Sequence, residues 1–156
     1  LSNLDRYLGE LRSLGALPVE DYVADSTKWG SGRYFLQCAV ECALDAANHV
    51  IAAEGLRTPR DNADVFAVLG EADVLPEDLV SHLQQATRLR NRVTHLYWEV
   101  DDAALHAMIG AELRDFDRLT ERLLRLVAPP DTSALWLLRD RPVAGYPRSG
   151  QSDPPQ

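Results

Sequence analysis

The stretch Arg88-Leu89-Arg90-Asn91-Arg92-Val93-Thr94-His95-Leu96-Tyr97-Trp98 holds three of the fifteen arginines and no acid, in a chain of net charge −8. On a helix Asn91 and His95 stand four apart and share a face. Arg90 lies one position earlier and reaches the same opening if the helix ends near His95. An imidazole titrates near neutral pH and moves protons, whereas a guanidinium presents a planar fork that matches phosphate oxygens. Asn91 would fix the histidine tautomer or hold substrate. These parts suit the binding or cleavage of a phosphodiester. Composition and spacing alone fit a blander account better: arginines on a solvated face, and a histidine complementing a helix C-terminus.

Other side chains offer less chemistry. Cys38, Cys42 and His49 fall on one helical face opposite Leu36, but zinc needs a closed set of four ligands and no fourth is evident. Small residues at a helix contact are the better reading, and no metal or cofactor is expected. His82 and His106 read as surface residues without polar company. Asp101 and Asp102 read as helix caps. Glu41, Asp45 and Asn48 either border the site or are ordinary exposed positions, the second being slightly favoured.

The elements that must position these groups are helical. Leu and Ala number 43 against 20 for Val, Ile and Thr, a bias towards helix. Leu4, Leu8, Leu11 and Leu14 make a first helix that stops near Gly15 and Pro18. A second opens between Val19 and Ser31, its start blurred by Gly30 and Gly32. It carries the stripe Leu36, Val40, Ala43, Leu44, Ala47 and Ile51, and Gly55 closes it. Asp61 or Asn62 caps a third, which buries Val65, Phe66 and Leu69. Pro76, Glu77 and Asp78 open a fourth, with Leu79, Leu83 and Ala86 on its stripe and an end between Val93 and Tyr97. The fifth starts at Asp101 or Asp102 and runs through Leu105, Phe116, Leu119 and Leu123 to Val127, where Pro129 and Pro130 break it.

The reading is an all-α antiparallel bundle of four to five main helices over residues 1–128, with an extended Pro-rich tail over 129–156. Within that tail Leu135-Trp136-Leu137-Leu138 is expected to dock on the domain or on another chain. No apolar run approaches the ~18 residues of a membrane span, no basic apolar leader is visible, and two cysteines make no disulfide framework. A cytoplasmic protein without membrane contact is expected. A sequence pI near 4.9 argues against a general nucleic-acid-coating protein but leaves room for a locally basic site.

Arg90-Asn91-Arg92-Val93-Thr94-His95-Leu96-Tyr97 resembles the Arg-x-x-x-x-His-x-Tyr motif of the HepT-like toxins, a branch of the HEPN superfamily. Tyr34-Phe35-Leu36-Gln37 through Asp45-Ala46-Ala47-Asn48-His49-Val50-Ile51-Ala52 is similar to that family's second helix. Leu75-Pro76-Glu77 and Trp98-Glu99-Val100-Asp101-Asp102 are similar to its flanking segments. The resemblance runs from about Arg33 to Val127. It implies the toxin of a type VII HEPN/MNT toxin–antitoxin system: a metal-independent endoribonuclease paired with a minimal nucleotidyltransferase antitoxin. Carried over by residue, Arg90 and His95 are catalytic, Asn91 assists, and Tyr97 is where the antitoxin attaches AMP.

Metal-free RNA cleavage needs a base for the 2′-hydroxyl proton, an acid for the leaving oxygen, and positive charge at the phosphorane. One chain supplies one well-placed histidine; two copies meeting along the fourth helix supply two His95 and two Arg90. A homodimer is therefore expected on chemical grounds, as the resemblance also implies. The rival is a non-catalytic helical binding module that partners a nucleotidyltransferase. The acidic balance favours that rival modestly, and the intact Arg90/His95 pair favours the nuclease.

Overall fold

Heptad-like runs of Leu and Ala separated by Gly, Pro and Asp leave the chain few options besides packed helices. The computed structural model describes residues 2–127. Six α-helices follow in order: α1 (Ser2–Gly15), α2 (Val19–Val23), α3 (Ser26–Ala53), α4 (Asn62–Glu71), α5 (Glu77–His95) and α6 (Asp102–Val127). A 3-10 turn, Tyr97–Glu99, joins the last two. The described residues thus form the all-α bundle expected, with no strand. The tail 129–156 and its Leu135–Leu138 patch lie outside the described residues.

The long α3 is the axis of the bundle. Its buried stripe (Leu36, Ala39, Val40, Ala43, Leu44, Ala47, Val50 and Ile51) packs against α1, α4, α5 and α6. From α1 come Leu4, Leu8 and Leu11, and from α6 come Leu105, Ile109, Leu113, Phe116, Leu119 and Leu123. Removing apolar area from water at roughly 25 cal/mol per Å² makes this shared core the main favourable contribution to folding.

The helix ends follow local chemistry. Asp25 starts α3, its carboxylate accepting from the Thr27 N–H at 2.9 Å. Gly30 and Gly32 therefore lie inside α3, and the element that precedes it is the separate short α2. This is why the described residues hold one helix more than the five expected. Tyr22 of α2 is fully buried, and a Cβ on Gly32 would collide with its hydroxyl. Burial, followed by the charge of Asp102, pushes the Tyr22 phenol up to about 12. Gly55, at φ +63°, reverses the chain after α3, a conformation open to glycine. Asp61 rather than Asn62 caps α4, accepting from the Asp64 N–H at 2.9 Å. Asp101 caps α6 through the Ala103 and Ala104 N–H groups.

Candidate active site

The arginine-rich strip occupies the last turns of α5. Leu83, Ala86, Thr87 and Val93 anchor that helix on its inner side. The Leu96 N–H still donates to the Arg92 carbonyl at 2.8 Å, after which the chain leaves the helix. His95 therefore sits in the final turn, exposed to solvent. Among the described residues its ring makes no hydrogen bond.

Arg90 turns the other way. Its side chain is only 13% exposed and pairs with Glu41 of α3. Its Nη1 also donates to Asn91 Oδ1 at 2.8 Å, while Nε is buried without a partner. The Thr94 hydroxyl donates to the Arg90 carbonyl at 2.9 Å. The guanidinium is thus oriented from two sides, between a carboxylate on a neighbouring helix and an amide on its own. Exposed Asn91 also borders a shallow depression of about 450 Å³ with Asp61, Asn62 and Ala63 at the start of α4. Within one chain no hydrogen bond links Arg90 to His95; the structure joins Arg90 to Asn91 and leaves His95 facing solvent.

Tyr97 and Trp98 stand out on the 3-10 turn, 62% and 66% exposed. Their rings meet edge to face, with centroids 5.1 Å apart. The turn that carries them is tied down by Arg33 of α3. Its Nη1 donates to the Tyr97 carbonyl at 2.9 Å and Nη2 to the Val100 carbonyl at 3.1 Å. The same guanidinium grips both Asp102 oxygens, at 2.7 and 2.9 Å, and lies over the Trp29 ring 4.7 Å from its centroid.

Several sequence expectations change here. Asp102 is the anchor of Arg33, and Asp101 alone does the capping. Glu41, weighed as an ordinary exposed position, borders the site by holding Arg90. His82 does have polar company, its Nδ1 lying 2.8 Å from Asp115. His106 is half-buried, its ring 4.9 Å from that of Tyr22. Cys38 and Cys42 are partly buried free thiols. Cys42 and His49 line a mainly apolar depression of about 500 Å³ with Leu123 and Leu124, and it includes no motif residue. No group of three His, Cys, Asp or Glu side chains among the described residues is placed to hold a metal ion. Arg33 escaped notice because its hydrogen-bond partners lie 64 to 69 positions away. Its only sequence signal is a cation on the helix whose stripe faces the core.

A family model described as Ribonuclease HepT-like matches residues 4–123. The chain belongs to the HepT-like ribonuclease family. This HepT-like chain is 23% identical over 116 residues to the tRNA nuclease HepT of Aphanizomenon flos-aquae, covering 74% of this chain and 79% of that protein. It is 29% identical over 87 residues to the mRNA nuclease HepT of Shewanella oneidensis, covering 55% of this chain and 65% of that protein. Its fold is similar to that of the tri-AMPylated Shewanella oneidensis HEPN toxin solved in complex with MNT antitoxin. There the TM-score is 0.75 at 22% identity, over 80% of this chain and 92% of the other. No helix among the described residues of the HepT-like chain is long and apolar enough to cross a membrane.

Proposed function

We propose that this protein is the toxin of a HEPN/MNT toxin–antitoxin pair, an endoribonuclease that cuts RNA without a metal ion. The observation that carries the reading is Arg90, oriented by Glu41 and Asn91, five residues before a solvent-facing His95. Both lie inside the family match. His95 moves the proton at the 2′-hydroxyl or at the leaving oxygen. Arg90 stabilises the charge that builds on the phosphorane, and Asn91 keeps its guanidinium in place. The bond from phosphorus to the 5′-oxygen breaks as the 2′-oxygen attacks, leaving a 2′,3′-cyclic phosphate and a free 5′-hydroxyl.

Because one chain supplies a single His95, with no hydrogen bond joining it to Arg90, the reading includes a homodimer in which the α5 ends of two copies share one cleft. A minimal nucleotidyltransferase silences the toxin by attaching AMP to Tyr97, whose exposed ring is open to another protein's active site. The relatives named as tRNA and mRNA nucleases and the AMPylated structural neighbour support these assignments.

The test is RNA cleavage by purified protein. Cyclic-phosphate ends are expected, activity falls by about two to four orders of magnitude in His95→Ala, and EDTA has no effect. Activity that disappears with chelator and returns with a divalent ion refutes the metal-free mechanism. Full activity from a species that sediments as a monomer refutes the shared cleft.

A further inference from the structure

We infer that Trp98 is a base-stacking subsite: its indole receives an unpaired base of the RNA whose backbone lies at Arg90 and His95. The inference rests on the ribonuclease reading above and adds to it a binding residue and a substrate class, single-stranded or looped RNA.

Solvent-facing tryptophan is ordinarily avoided, since its apolar area gains most from burial. Here 66% of Trp98 is exposed, and Tyr97 beside it is 62% exposed. The pair is also held. Arg33 fixes the turn through the Tyr97 and Val100 carbonyls, and Asp102 and Trp29 fix Arg33 in turn. With the backbone of the turn fixed, only the two side-chain torsions of Trp98 remain to be ordered when a base lies against its ring.

The contact between the two rings is edge to face, with an interplanar angle of 81°. It therefore covers at most one face of one ring, so Trp98 keeps a π-face for a base. The position suits the chemistry. Trp98 follows His95 by three residues, so the two Cα atoms are at most about 11 Å apart. Exposed Arg88 and Arg92 precede it on α5 and supply charge for the phosphates of the same strand. Exposed aromatic side chains beside a basic strip are how single strands are gripped without reading their sequence, whereas bases in a duplex are stacked on each other and unavailable. The same geometry explains how AMP on Tyr97 would silence the site: its adenine would take the Trp98 face from the substrate.

The test is equilibrium binding of a dye-labelled RNA octamer to the 156-residue chain carrying His95→Ala, a substitution chosen to suppress cutting. Stacking of one base corresponds to a 5- to 150-fold change in affinity, about 1–3 kcal/mol. Trp98→Ala and Trp98→Leu are expected to weaken single-strand binding by such a factor, and Trp98→Phe to retain most of it. A blunt duplex of the same sequence should bind with an affinity unaffected by Trp98→Ala. Circular dichroism checks that each variant is folded.

Equal affinity in Trp98→Ala, an equal loss on the duplex, or no RNA binding at all overturns the inference. So does a Trp98→Ala protein whose dimer falls apart in sedimentation, which would make the aromatic pair an interface between copies. A wild-type chain that cuts no RNA, yet binds the single strand in a Trp98-dependent way, would refute the nuclease reading and leave the subsite standing.

Discussion

Replacing Arg33 with alanine tests whether the turn carrying Tyr97 and Trp98 is held by one guanidinium. Four hydrogen bonds disappear together: two to Asp102, one to the Tyr97 carbonyl and one to the Val100 carbonyl. The contact with the Trp29 ring goes with them. A net hydrogen bond to a charged group contributes about 1.5–3 kcal/mol, but bonds sharing one side chain are not additive. Stripping a partner from a fully buried ion pair costs about 3–5 kcal/mol. The Arg33 and Asp102 side chains are still 15% and 20% exposed, so water recovers part of that. Asp102 also keeps a favourable place in the first turn of α6, worth roughly 0.3–1 kcal/mol. The expected loss is therefore about 2–4 kcal/mol in a urea titration. Arg33→Lys should lose about half as much, because an ammonium cannot reach two carbonyls and two carboxylate oxygens at once. Amide exchange should accelerate across residues 96–101 before it does in the core of α3. A double-mutant cycle with Asp102→Asn should return a coupling of about 1–3 kcal/mol. A loss below about 0.5 kcal/mol with unchanged exchange at 96–101 refutes the reasoning.

Further outcomes follow from other contacts. Gly32→Ala should destabilise by about 1–3 kcal/mol through its collision with the Tyr22 hydroxyl, and Tyr22→Phe in the same chain should restore most of the loss in thermal melts. Buried Asp64 accepts from Arg57, Arg60 and the Arg60 backbone N–H, which together hold its carboxyl well below the usual carboxylate range. Its contribution is therefore complete above the unfolded value of about 4 and is lost as the pH falls below it; Asp64→Asn should flatten the acid limb of a stability–pH curve. Co-expression with a nucleotidyltransferase antitoxin should add mass in multiples of AMP to the peptide holding Tyr97, and Tyr97→Phe should remove it. An unmodified Tyr97 in a neutralised complex would mean that the partner acts by covering the site.

What the sequence determined by itself was everything that depends on neighbours along the chain. Period-3.6 stripes such as Leu36 to Ile51 identify helices because a residue's face is set by its position in its own helix. Gly55, Asp61 and the Pro76-Glu77-Asp78 start are legible for the same reason, since caps act within one turn. The concentration of arginines around His95, and the end of that helix near it, could also be read directly. Tertiary structure alone decided which way those side chains are drawn. Whether Arg90 reaches solvent or α3 depends on Glu41, 49 positions earlier, and no local rule pairs them. The grip of Arg33 on the Tyr97 turn joins groups more than 60 positions apart. The assignment of Asp101 to capping and Asp102 to Arg33 needed that same contact, because adjacent aspartates before a helix look alike until one meets its partner. Gly30 and Gly32 blurred the start of that helix, yet both lie within α3, and the ring that Gly32 accommodates belongs to another helix. Charge pairing and close packing are set by distance in space, and that distance exists only once the bundle has formed.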